Sequence, residues 1–208
     1  MMKKRFFYLF LLVVIFLSCS LYQVNAITFV DLEESHWAYQ NIMSLVKREV
    51  INGYPDGTYQ PEKAVSRAEF LKLIMMVLYG SETLGNTGYE AVHWAFPYAL
   101  EAKTNGYLAD ESIIKIGNID HAISRMEMAQ ILARICRKNS FPHSTSSTLS
   151  FSDTSQLSVA NKQDIQTVVA AGIINGYPDG TFGPNRTMTR AECATIMIRV
   201  MKILEGEG

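Results

Sequence analysis

Cysteine is scarce in this chain, with three in 208 residues at Cys19, Cys136 and Cys193. That excludes a disulfide framework. Cys136 and Cys193 fall at apolar-phase positions of helix-like stretches, which predicts buried thiols and leaves a bridge between them open. Long apolar runs are missing beyond Phe6 to Leu17, which is shorter than the roughly twenty residues a membrane span requires. Surplus positive charge is missing too: 19 Lys and Arg stand against 20 Asp and Glu. Nucleic-acid binders need a basic face, so no nucleic-acid partner is expected. Strict apolar/polar alternation is absent, so strands are not indicated. There is no His-Glu-x-x-His, no Gly-x-Ser-x-Gly and no catalytic-cysteine signature. The regular string of acidic ligands of a calcium loop is lacking as well. No catalytic residue, metal or cofactor is therefore expected.

What is present begins with Lys3, Lys4 and Arg5, the apolar run, and the small-residue pattern Val24-Asn25-Ala26. This order reads as a secretory signal peptide cleaved after Ala26. Leu17-Ser18-Cys19 is a competing lipoprotein site in which Cys19 would carry the lipid. Removing residues 1–26 takes away three basic and no acidic side chains, so the formal charge falls from −1 to −4.

Self-similarity dominates the remainder. Gly53-Tyr54-Pro55-Asp56-Gly57-Thr58-Tyr59 returns as Gly176-Tyr177-Pro178-Asp179-Gly180-Thr181-Phe182, and Ser66-Arg67-Ala68-Glu69 returns as Thr189-Arg190-Ala191-Glu192, both 123 positions on. A middle copy is marked by His93-Trp94-Ala95, which echoes His36-Trp37-Ala38, and by Ser124-Arg125-Met126-Glu127. Each copy predicts a first helix (36–49, 93–105, 159–171), a turn-rich loop, and a second helix (66–79, 124–137, 189–203). Leu71, Ile74, Met75 and Leu78 keep the spacing that buries one helical face. The expected organisation is a signal peptide, 1–26, then helix-loop-helix repeats at 27–84, 85–146 and 147–208, making an all-α fold.

The repeated residues suggest chemistry. Ser/Thr-x-x-Glu is a capping box. Arg67, Arg125 and Arg190 occupy the first helical position, where the helix dipole disfavours a cation by about 0.3 to 1 kcal/mol. Two readings stand. A guanidinium beside free helix amides makes an anion site, or each arginine pairs with a carboxylate of its own chain such as Asp31 or Asp153. The Pro-Asp-Gly loops build tight turns, and their glycines also allow close approach of a ligand to the backbone. Trp37 and Trp94 read equally as core residues or as platforms for a sugar ring.

Taken together, Phe-x-Asp (Phe29, Asp31; Phe151, Asp153), Trp-Ala, Gly-Tyr-Pro-Asp-Gly-Thr-Phe/Tyr, a following proline (Pro61, Pro184) and Ser/Thr-Arg-Ala-Glu resemble the S-layer homology family over about residues 27–204. The resemblance implies a pseudo-threefold helical bundle. It also implies a secreted bacterial protein held without covalent attachment at the cell wall, by an anionic, pyruvylated secondary cell-wall polysaccharide. It places Asp31, Trp37, Gly53, Tyr54, Asp56, Arg67, Trp94, Arg125, Asp153, Gly176, Tyr177, Asp179 and Arg190 in ligand-binding grooves between neighbouring repeats. Departures are Ala109-Asp110-Glu111-Ser112 in place of the middle turn loop, Ala160 in place of a third tryptophan, and Glu49 in place of the helix-ending glycine seen at Gly106 and Gly172. The groove built on the altered loop is expected to be silent. The alternatives are a surface scaffold that binds another protein and a wall-glycan hydrolase, whose paired carboxylates carry no fixed spacing.

Overall fold

The structure is a computed structural model that describes residues 27–80, 92–109, 116–141 and 150–206. The leader with Cys19 and the altered segment Asp110-Glu111-Ser112 lie outside the described residues. Six α-helices are found there, α1 (Tyr39–Lys47), α2 (Arg67–Tyr79), α3 (Phe96–Thr104), α4 (Arg125–Lys138), α5 (Val159–Ala170) and α6 (Arg190–Leu204), with a 3-10 turn at Ile116–Asn118. The fold is all-α, as the sequence indicated.

The second helices begin where the capping boxes place them. Ser66, Ser124 and Thr189 each accept from the amide three residues on, and Glu69, Glu127 and Glu192 reach back to the cap amides. The helices α1 and α3 start about three residues later than the pattern suggests, because the histidines form a turn. His36 Nδ1 accepts from the Ala38 amide and His93 Nδ1 from the Ala95 amide, both at 3.1 Å. In the last copy Ser158 takes that task, accepting from the Asn161 amide at 3.2 Å.

Packing does not follow the helix-loop-helix unit. The close helix pairs are α2 with α3, α4 with α5, and α6 with α1, with α2 also against α6. Each second helix thus covers the first helix of the following copy, and the last returns to the first. The cycle repeats in the backbone. The Val65 amide donates to Met188 O at 2.9 Å, Met188 to Ile123 O at 3.4 Å, and Ile123 to Val65 O at 2.9 Å. All three side chains are buried, with Ile74, Met75, Met128, Ile131, Leu132 and Met197 around them in one core. Such side chains contribute about 1.5 to 3 kcal/mol each through burial. Cys136 and Cys193 are free and buried, and burial pushes both thiols up to about 12.

Helices α1, α3 and α5 end in the same left-handed residue, with φ of 58° at Glu49, 71° at Gly106 and 69° at Gly172. The amide that follows bonds back five residues in each, Val50 to Leu45, Tyr107 to Ala102 and Ile173 to Val168, which is a Schellman ending. A side chain in that region costs about 1 to 3 kcal/mol, partly offset by glycine's larger loss of freedom on folding, about 0.5 to 1 kcal/mol. Glu49→Gly is therefore expected to raise the thermal midpoint by about 2 °C, and Gly172→Ala to lower it by at least as much. A calorimetric scan in which Glu49→Gly melts below the parent would contradict this account of the helix end.

Candidate functional site

Arg67, Arg125 and Arg190 do stand at the first position of α2, α4 and α6. Free helix amides, however, are not beside them. The first two amides of α2 donate to His121 O and Ile119 O, those of α4 to Arg186 O and Pro184 O, and those of α6 to Lys63 O and Pro61 O, all within 3.0 Å. Every acceptor lies in the loop of a different copy. The anion reading loses its amide half, since the same ring that closes the fold consumes those donors.

The guanidiniums are also engaged with the chain, though not with Asp31 or Asp153. Arg67 donates to Glu127 Oε1 at 2.6 Å and to Asn118 O at 3.2 Å. Arg190 donates to Tyr59 O at 2.8 Å and to Asn52 O at 3.3 Å, with Glu69 Oε1 at 3.8 Å. Arg125, only 5% exposed, donates to Phe182 O at 2.7 Å and to Asn175 O, and lies over the rings of Tyr177 and Phe182 at 4.5 and 4.9 Å. Burial pulls Arg125 below the ordinary arginine range, with Tyr177 and Glu192 acting in the opposite direction.

Asp31 and Asp153 hold loops instead. Asp31 accepts from the Tyr59 and Gln60 amides at 2.7 Å, and Asp153 from the Phe182 and Gly183 amides at 2.8 Å. Asp56 and Asp179 close their own turns on Thr58 and Thr181, whose hydroxyls donate at 2.7 and 2.6 Å and keep both carboxyls below the usual range. These four carboxylates are committed to loop geometry, and none lines the two grooves described next. Gly53 and Gly176 do line them, but a Cβ there would stand 2.2 Å from a Phe29 ring carbon and 2.1 Å from a Phe151 ring carbon. Close packing of the chain's own aromatic ring therefore requires glycine at both positions.

The remaining candidates meet in two places. Groove 1, about 240 Å³, is walled by Trp37, Arg125, Asn175, Gly176, Tyr177 and Arg199 among others. Groove 2, about 350 Å³, is walled by Trp94, Arg190, Asn52, Gly53, Glu69 and Lys72 among others. Each draws on all three copies of the pattern rather than on two neighbours. The tryptophans are 61% and 46% exposed, so they are groove walls and not core. Tyr54 stands beside groove 2, with Arg190 over its ring at 4.9 Å and Lys63 donating to its hydroxyl at 3.1 Å. Arg67 is in neither groove.

Two groove cations escaped the sequence reading. Lys72 is exposed and has no partner among the described residues, while Arg199 gives one hydrogen bond, Nη1 to Ile173 O at 3.0 Å. They occupy different turns of α2 and α6, and the positions equivalent to them in the repeat are Thr195 and Met76, so no repeated motif marks them. Removing Arg125 should cost stability, because Phe182 O loses its buried partner. Arg125→Ala is expected to lower stability by about 2 kcal/mol, roughly 5 °C, whereas Lys72→Ala stays within about 0.5 kcal/mol. Equal melting of the two variants would show that Arg125 is not structural.

Comparison with known proteins bears on the same stretches. Residues 28–71 and 150–194 match the sequence model of the S-layer homology domain. The chain is 30% identical over 182 residues to the exoglucanase XynX of Acetivibrio thermocellus, covering 86% of this chain and 16% of the relative. It is 25% identical over 179 residues to a cellulosome-anchoring protein of the same organism, covering 86% and 27%. To the S-layer protein sap of Bacillus anthracis it is 24% identical over 180 residues, covering 84% and 21%. The chain spans less than a third of the length of these curated relatives. The leading aspartates, the two Gly-Tyr loops, Arg67 and Arg190 all fall inside the matched segments, which identifies residues 28–71 and 150–194 as S-layer homology sequence.

Proposed function

We propose that this chain is a non-catalytic anchoring module that is exported through its 1–26 leader and holds to the bacterial cell wall through an anionic, pyruvylated secondary polysaccharide. The observation that carries the reading is the convergence, in each of two grooves, of a half-exposed tryptophan, the loop glycine Gly53 or Gly176 and a cationic wall from three separated stretches of chain. A sugar ring stacks on Trp37 or Trp94, where a flat apolar face meets a polar edge. The ketal carboxylate is met by Arg199 in groove 1 and Lys72 in groove 2, whose donors are mostly unspent. Arg125 and Arg190 form the floors and keep the loops in place. The repeats run 27–84, 85–146 and 147–208.

The third position is silent in this reading. Its arginine, Arg67, is bound by Glu127, its tryptophan is Ala160, and its loop carries the acidic Asp110-Glu111 pair. Two grooves engaging one polymer chain gain from effective concentration, so attachment needs only modest affinity at each. The named relatives, a cellulosome-anchoring protein and an S-layer protein, support a surface role.

Sedimentation of residues 27–208 with purified sacculi, before and after removal of the secondary polymer, tests the proposal. Trp94→Ala is expected to weaken binding about 3- to 10-fold from the loss of ring stacking of about 0.5 to 1.5 kcal/mol. Lys72→Ala is expected to weaken it 10-fold or more, from a charge-assisted bond of about 1.5 to 3 kcal/mol. Because both grooves engage one chain, Trp37→Ala with Trp94→Ala compounds the losses to about 10- to 100-fold, and pelleting falls accordingly. Pelleting that survives polymer removal and both tryptophan changes would instead indicate a protein partner on the wall, and release of reducing ends would indicate a hydrolase.

A further inference from the structure

Trp94 and Glu69 line two recesses, not one. Groove 2 is the first; the second, about 440 Å³, has Lys63, Ala64, Ser66, Asp120 and Ala122 as its other walls. Hydrogen-bonding capacity remains there. Lys63 spends one donor on Tyr54 and keeps two. Ser66 Oγ accepts from the Glu69 amide, which leaves its hydroxyl hydrogen unused. Asp120 accepts from His93 Nε2 at 3.1 Å and is 68% exposed, so most of its lone pairs are open. Two alanines supply an apolar floor. Charge separates the two recesses. Groove 2 sets Lys72 and Arg190 against Glu49 and Glu69, whereas the second recess sets Lys63 alone against Glu69 and Asp120. Groove 2 balances its charges and keeps Lys72 unspent for a carboxylate-bearing sugar, whereas the second recess holds one carboxylate more than it has cations and disfavours one; a neutral ring rich in hydroxyls finds both donors and acceptors there.

We propose that the Lys63–Ser66–Asp120 recess is a second saccharide subsite, which takes the neutral sugar adjoining the anionic one, so that groove 2 holds a disaccharide with Trp94 between its two rings. This rests on the anchoring reading above. The test is calorimetric titration of the protein carrying Trp37→Ala, which weakens groove 1 so that groove 2 dominates the titration, with mono- and disaccharides cut from the secondary polymer and both ending in the pyruvylated sugar. The disaccharide is expected to bind about ten times more tightly. Adding Asp120→Asn, which keeps an acceptor for His93, is expected to bring the disaccharide most of the way down to the monosaccharide level and leave monosaccharide affinity unchanged. Equal affinity for the two fragments, or an Asp120→Asn change that weakens both alike, overturns the subsite while leaving the anchoring role intact. Absence of binding in Trp37→Ala when the parent protein binds overturns any role for groove 2. Absence of binding in the parent overturns the anchoring reading as well.

Discussion

The hydrogen bonds that join Val65, Ile123 and Met188 into a ring impose a condition on everything around them. Buried amides and carbonyls must be paired, and here no copy can pair its own. Each supplies a donor to one neighbour and an acceptor to the other. The helix starts extend the same rule, since the first amides of α2, α4 and α6 are satisfied only by loop carbonyls from elsewhere in the cycle. Because α6 also packs on α1, stability is shared around the ring, unlike an open solenoid whose terminal repeats carry one interface each.

This closure explains the arginines. A cation at a helix N-terminus is unfavourable in isolation, but the acidic residue two positions on in the next second helix offsets it. Glu127 meets Arg67, and Glu69 faces Arg190. Glu69 and Glu127 therefore serve two purposes, binding their own cap amide with one oxygen and facing a neighbour's guanidinium with the other, while Glu192 gives its second oxygen to the Tyr177 hydroxyl. The guanidiniums in turn reach the loop carbonyls of Tyr59, Asn52, Phe182 and Asn175, holding both Gly-Tyr loops at the groove walls. Groove shape and fold closure thus depend on the same side chains, and the proposed anion contact falls to Lys72 and Arg199, whose donors closure leaves mostly unspent.

Much of this was legible in the sequence, and the illegible part has a physical cause. Capping boxes are local, so the starts of all three second helices followed from four-residue motifs. The recurrence of the loops and the exclusion of a disulfide framework were also legible without tertiary information. What could not be read was which helix meets which, because helical periodicity marks an apolar face without naming its partner. From that follow the acids that stand beside Arg67 and Arg190, Glu127 and Glu69 in place of the suggested Asp31 or Asp153, the tasks of those two aspartates, and the composition of grooves that combine three copies instead of two. The histidine turns before α1 and α3 were missed for another reason: a ring nitrogen that accepts from an amide two residues on has no signature apart from the His-Trp-Ala triplet. Lys72 and Arg199 were invisible because they sit on different helical turns.

The middle copy shows how the two demands separate. Ser124, Arg125 and Glu127 keep the cap and the guanidinium contacts, and Ile123 keeps the ring. Those residues are needed by the other two copies as much as by their own. The described end of the middle loop is held in the same way, since Ile119 O and His121 O accept from the first two amides of α2. The sequence beyond Ala109 abandons the Gly-Tyr-Pro-Asp pattern, whereas the carbonyls and helix start that satisfy a neighbour's backbone are kept. The stretch between the two matched segments thus departs from the S-layer homology pattern in its loop yet still supplies Trp94 to one groove and Arg125 to the other.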